Sequence, residues 1–197
     1  MISKDREYRA FVVELEDTVD TDTPTYIVEG YAAVFEQRTK IFELDGVEYF
    51  EKIARDAFNG CDMSDVVMNF DHMGKPVART KNGTLMLNVD DHGLKVRANL
   101  SGTEESRRLF EEIKGQYIDK MSFSFLVEKD AYERGTHERT ILKFKRLFDV
   151  AAVTFPAYDA TDIAARAYFT AEAEKEAAEA KRATAAEAAR HRIIIST

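Results

Sequence analysis

The stretch KNGTLMLNVDDHGLKVRANL, residues 81–100, constrains the fold more than any other part of the chain. KNG and DDHG are turn signals on either side of TLMLNV, and LKVRANL follows with clean alternation of apolar and polar side chains. A two-residue period puts one face on a core and the other toward solvent, so the segment reads as an antiparallel meander. Neighbouring segments follow the same rule. YRAFVVELE and YIVEGYAAVF are β-rich runs separated by the polar DTVDTDTPT. FELDGVEYF places Asp-Gly between apolar flanks, the strongest short hairpin signal. From about residue 8 to 155 the expectation is therefore short strands joined by turns, a mainly β chain with a few helices.

Three segments depart from the strand pattern. EKIARDAF reads as one or two helical turns. Ser101-Gly-Thr-Glu104 has capping-box spacing, and Leu109, Phe110, Ile113 and Tyr117 then recur at helical spacing, with Gly115 near the helix end. TILKFKRLFDVAAVTF is too long for one flat strand and predicts a bend or two strands. The charged DAYERGTHER before it reads as a loop. From about residue 161 the composition shifts to alanine, glutamate, lysine and arginine. TAEAEKEAAEAKRATAAEAARHR has high helix propensity but no apolar stripe, so a solvated or partner-bound helical tail is expected.

Bulk composition limits the function classes. A hydrophobic fraction of 45% over 197 residues supports one domain with a core plus an appendage. Formal net charge is −8, a poor match to nucleic acid. One cysteine, Cys61, forms no internal disulfide. No apolar run approaches the roughly 18 residues of a membrane span, and the charged start is unlike a signal peptide. A soluble intracellular protein that binds neither nucleic acid nor membrane is expected.

The candidate chemistry centres on KMSFSFLV, residues 120–127. Met121, Phe123, Phe125 and Val127 share one strand face, and Ser122, Ser124 and Leu126 share the other. Two hydroxyls on such a strand are either a solvated face or a nucleophile's setting. A serine nucleophile needs an imidazole to take its proton and a carboxylate to orient that imidazole. His72 follows the apolar run VVMNF at a strand end, and Asp149 stands in FDVAAVTFPAY, where an acid is costly if buried without a partner. Asp149 at a solvent-facing edge is the plainer alternative. His92, His137 and His191 read as surface residues. His72 and His92 with Asp71, Asp90 and Asp91 lack the local spacing of a zinc site, and Cys61, paired with His72 as a nucleophile, sits in a turn-rich stretch with no supporting signature. No metal or cofactor is expected.

Five blocks in order resemble the prohead, or capsid-maturation, serine proteases of tailed bacteriophages, a family similar in fold to the herpesvirus assemblin proteases. They are EGYAAVF, YFEKIARDAF, VVMNFDHMGKPVARTKNGTLMLNVDDHGLKVRANL, GQYIDKMSFSF and RTILKFKRLFDVAAVTFPAY, within residues 8–160. The resemblance implies an α+β fold built on a small, mostly antiparallel β-barrel, a protease domain over 1–160 and a tail over 161–197. It carries the family's catalytic histidine to His72, its nucleophile to Ser122 and its acidic third member to Asp149, where glutamate is frequent in the family. Ser124 falls where the family shows glycine, so Ser124→Gly is expected to keep activity and Ser122→Ala to abolish it. Ala151 stands where serine is frequent. The implied activity is an endopeptidase inside the immature capsid, assembled in the host cytoplasm. It would cut scaffold, or the scaffold-like N-terminal segment of the major capsid protein, and itself; the resemblance leaves its assembly open between a single chain and a homodimer or higher oligomer. The alternative is a non-enzymatic scaffold or capsid-interaction protein, toward which the alanine-rich tail points.

Overall fold

The structure, a computed structural model, describes residues 6–11, 16–17, 26–154 and 163–195. Almost all of DTVDTDTPT, and the Pro-Ala-Tyr at 156–158, lie outside them. In chain order the elements are β1 (Glu7–Phe11), β2 (Glu16–Asp17), β3 (Ile27–Val34), β4 (Thr39–Leu44), β5 (Val47–Ile53), β6 (Val67–Phe70) and β7 (Met73–Arg79). After these come β8 (Leu85–Val89), β9 (Gly93–Asn99), α1 (Glu104–Lys114), β10 (Lys120–Glu133), β11 (Glu138–Val153) and α2 (Ile163–Ile195). The fold is mainly β with two helices among the described residues. No helix there is long and apolar enough to cross a membrane.

The pairings make two sheets. One runs β1-β10-β11-β5-β4, with β6 on β11 and β7 on β6; the other runs β2-β3-β9-β8. Most neighbours are antiparallel, but β11 takes both β5 and β6 in parallel on the edge away from β10, at its two ends. The described pairings do not close these sheets into a ring. The Asp-Gly hairpin forms as expected, with Leu44 opposite Val47 and both Asp45 and Gly46 at positive φ. The meander also forms, Leu85–Val89 pairing with Gly93–Asn99 around the DDHG turn.

Several local expectations are corrected. The long last segment is one strand, Glu138–Val153, whose pairing with β10 slips at several bulges that absorb its length. DAYERGTHER is mostly strand: Asp130 to Glu133 pair with Ile141 to Glu138, leaving only a tight turn at 134–137. EKIARDAF forms no helix; consecutive turns close by bonds from Ala57 to Ala54, Asn59 to Asp56 and Cys61 to Phe58. So short a segment cannot offset the cost of helix nucleation. The cap of α1 is Thr103, not Ser101, its hydroxyl accepting from the Ser106 N–H at 3.0 Å. Tyr117 is 79% exposed because the helix ends at Lys114, and only Leu109, Phe110 and Ile113 bury the apolar face.

The back of β10 forms the core as the alternation requires. Met121, Phe123, Phe125 and Val127 are buried. Phe125 lies edge-on to Phe144 with centroids 4.8 Å apart, and Phe58 packs on Phe144 at 4.6 Å. Each such side chain contributes about 1.5–3 kcal/mol by leaving water, and together they hold the strand that carries Ser122. At its N-terminal end α2 seats Phe169 against Phe42 and Tyr49, while positions 177–186 are exposed.

Beside this core lies a buried ionic cluster. Glu7 and Arg139 are fully buried, and Arg9 and Glu51 nearly so. Arg139 donates to both oxygens of Glu7 (2.7 and 3.1 Å), to Glu51 (3.1 Å) and to Asp130 (2.6 Å). Arg9 donates to both oxygens of Glu51 (2.5 and 2.7 Å) and to Glu7 (2.8 Å). Charges this deep persist only when paired and hydrogen-bonded. The cluster ties β1 to β5, β10 and β11.

Candidate active site

Ser122 and Asp149 are placed by the pairing of β10 with β11. Ser122 lies opposite Ala151, and Ser124 opposite Asp149, so all four side chains share the face away from the aromatic core. Both serines are buried, Ser122 at 1% exposure, which corrects any picture of a solvated sheet face. Asp149 is 4% exposed and therefore no solvent-facing edge residue.

His72 comes from the β6–β7 hairpin. Phe70 pairs with Met73 around a two-residue turn in which Asp71 (φ 45°) and His72 (φ 58°) both take left-handed conformations. Hairpins favour such turns, but residues other than glycine pay about 1–2 kcal/mol each for them. The surroundings hold the turn in place. Asp71 N–H donates to Ala152 O at 3.0 Å, and the Asp71 carboxylate accepts from Thr154 N–H at 3.0 Å. Asn69, nearly buried, donates through Nδ2 to the carbonyls of Met73 and Gly74 at 3.2 and 3.3 Å. Sequence reading singled out neither Asn69 nor the bracing role of Asp71.

The three residues singled out in the sequence meet here. His72 Nδ1 is 2.5 Å from Asp149 Oδ1, and His72 Nε2 is 2.6 Å from Ser122 Oγ. An ionised carboxylate only accepts, so Nδ1 carries the proton and Nε2 is left to accept from the serine hydroxyl. The Ser122 hydroxyl has a second acceptor in the Arg9 carbonyl, 2.9 Å away. With a single proton it donates either to Nε2 or to that carbonyl; when Nε2 is protonated, only the carbonyl remains.

Strand β1 closes the site on one side. Tyr8 sets its ring edge-on to His72, centroids 4.8 Å apart. Arg6 pairs with Asp149 Oδ2 and donates to Ser124 Oγ at 2.6 Å. Nothing in the sequence pattern relates residue 6 to residue 149, so these contacts emerge only in three dimensions. The other sequence candidates lie elsewhere. Cys61 has its thiol pushed up to about 12 by burial and by Asp62 beside it, which disfavours the thiolate a nucleophile needs. Asp90 accepts from the N–H groups of His92 and Gly93 and from Tyr31 Oη, within the second sheet.

A hydroxyl, an imidazole and a carboxylate in hydrogen-bonded series form the constellation of serine hydrolases. Its chemistry is to move a proton off a hydroxyl as that oxygen attacks an acyl carbon. The family model described as Caudovirus prohead serine protease matches residues 13–176, and the chain belongs to that family. By family it is a serine peptidase of capsid maturation. No curated protein and no solved structure matches the chain.

Proposed function

We propose that the chain is an active endopeptidase in which Ser122 is the nucleophile, His72 the general base and Asp149 the group that orients and charge-stabilises His72. The observation that carries this reading is the imidazole of His72 lying between Asp149 at 2.5 Å and Ser122 at 2.6 Å. Ser122 Oγ attacks the scissile carbonyl while its proton passes to Nε2. The tetrahedral oxyanion collapses, the C–N bond breaks, and His72 gives the proton to the departing amine. A water repeats the sequence on the acyl-enzyme.

The substrates in this reading are scaffold, or the scaffold-like N-terminal segment of the major capsid protein, and the protease itself, inside the prohead. In this reading the two sheets are opposite walls of an open barrel, a reading supported by β3 lying against β1 and β10. The catalytic unit spans residues 1–160, with the helical tail as an appendage. The test is co-expression with the phage's own capsid protein, wild type beside Ser122→Ala, followed by intact-mass measurement. Wild type is expected to yield trimmed capsid protein, and Ser122→Ala a loss of at least about a thousandfold in cleavage rate. Untrimmed capsid protein from both would return the chain to a non-enzymatic scaffold role, and equal trimming by both would overturn Ser122 as the nucleophile.

A further inference from the structure

We propose that Arg6 is a positioning residue of this site and that Ser124 is the anchor that aims it. The inference rests on the assignment of Ser122, His72 and Asp149 given above. It concerns a strand that lies upstream of the family match, which begins at residue 13.

A carboxylate on a short side chain has a broad, nearly two-fold torsion about its last bond. With His72 taking only Oδ1, Asp149 would be free to turn away. Arg6 occupies Oδ2, and a carboxylate held at both oxygens has its plane fixed. The guanidinium is itself held. Its Nη2 donates to Ser124 Oγ at 2.6 Å, and its carbon lies 5.2 Å from the Tyr8 ring and 4.8 Å from the Phe148 ring. Ser124 is the cross-strand partner of Asp149, so hydroxyl and carboxylate present themselves side by side to one nitrogen. The positive charge of Arg6 also compensates the burial of Asp149.

Arg6 is delivered by a fixed strand. β1 pairs with β10 from Glu7 opposite Phe125 to Phe11 opposite Met121, and on its other face Glu7 and Arg9 are locked in the buried ionic cluster. The arrangement accounts for a serine at 124. A glycine there would offer Arg6 no acceptor, and the guanidinium would lose the contact that points it at Asp149.

The test uses the full chain and a fluorophosphonate probe, whose phosphorus bonds to Ser122 Oγ as fluoride leaves and the hydroxyl proton passes to His72. The labelling rate then reads activation of the nucleophile without a peptide substrate. Arg6→Gln is expected to label at least about tenfold more slowly, Arg6→Lys at an intermediate rate, and Ser124→Gly a few-fold more slowly, each with a cooperative melting transition retained. The decisive readout is the double variant. If Ser124 acts through Arg6, Ser124→Gly has no further effect in the Arg6→Gln background. Labelling of Arg6→Gln at the wild-type rate or faster, or additive losses in the double variant, overturns the proposal. Should Arg6→Gln lose its melting transition, Ser124→Gly carries the test alone, and a wild-type rate there overturns it. A wild-type chain that is not labelled at Ser122 overturns the catalytic assignment, and this inference falls with it.

Discussion

Strand β1 carries two ionic assemblies on its two sides, made of similar residues and opposite in character. On one side Arg6 meets Asp149, which meets His72 and through it Ser122. On the other, Glu7 and Arg9 join Glu51, Arg139 and Asp130. The second assembly is saturated. Both Glu7 oxygens and both Glu51 oxygens accept from guanidinium groups, and the Tyr168 hydroxyl bonded to Asp130 is held well above its ordinary value by burial and by that carboxylate. The first contains two groups that can pass a proton, an imidazole and a hydroxyl, and the hydroxyl has a choice of acceptors. Burial and charge pairing are common to both. What separates a site capable of chemistry from a structural rivet is whether an imidazole stands between the carboxylate and the hydroxyl.

The comparison breaks most sharply under two substitutions. Asp149→Asn keeps the size of the side chain but removes its charge and favours the wrong imidazole tautomer, so cleavage is expected to fall about 10⁴-fold. Its thermal melting should stay near wild type, because Arg6 is 40% exposed and water can solvate it. Arg139→Leu should do the reverse. It leaves Glu7 and Glu51 buried with Arg9 as the remaining cation described beside them, at a cost of about 3–5 kcal/mol, read by urea denaturation. A loss below about 1 kcal/mol would mean that the cluster does not hold β1.

The two assemblies were not equally legible in the sequence. Ser122, His72 and Asp149 stand in apolar runs where a polar residue needs an explanation, and they fall on motif positions. The hairpin at Asp45–Gly46 and the apolar back of β10 followed from turn chemistry and a two-residue period. The cluster gave no such signal. Glu7 and Arg9 in EYRAF alternate with Tyr8 and Ala10 as a solvated strand face would, and Glu51 and Arg139 each stand beside another charged residue, Lys52 and Glu138. Their burial is decided by β11 turning β5 against itself in parallel, a tertiary event. Gly115 ends the helix as expected, but the cap misled for a local reason: Ser101 and Thr103 both suit a cap, and the fold selects Thr103, with Ser106 bound inward to the Val77 carbonyl at 2.8 Å.

Acid sharpens the contrast. Burial pushes the Glu7 carboxyl up, but the guanidinium groups of Arg9 and Arg139 outweigh it and hold it below its ordinary 4.5. A carboxyl lowered in the folded chain gives stability that is complete above the ordinary value and lost as pH falls through the folded one. Urea midpoints should therefore drop below about pH 4.5, and Glu7→Gln should flatten that limb while lowering stability at pH 7. A variant with the same acid slope as wild type would show that Glu7 is not the group being titrated.

The smallest effect is expected where the geometry looks just as good. Lys40 donates to Glu43 at 2.6 Å and to Glu48 at 2.7 Å, distances matching those of the buried cluster. Yet Lys40, Glu43 and Glu48 are each roughly half exposed. Water already solvates these charges when the pairs are broken, salt screens them, and the long side chains lose freedom in forming them. Lys40→Ala should leave the melting temperature within scatter of wild type, and added sodium chloride should abolish any difference that remains. Arg139→Leu should stay destabilised in the same salt, because ions do not reach a fully buried guanidinium. Equal losses from the two variants would show that distance alone sets the strength of these pairs; unequal losses at equal distance assign the difference to burial.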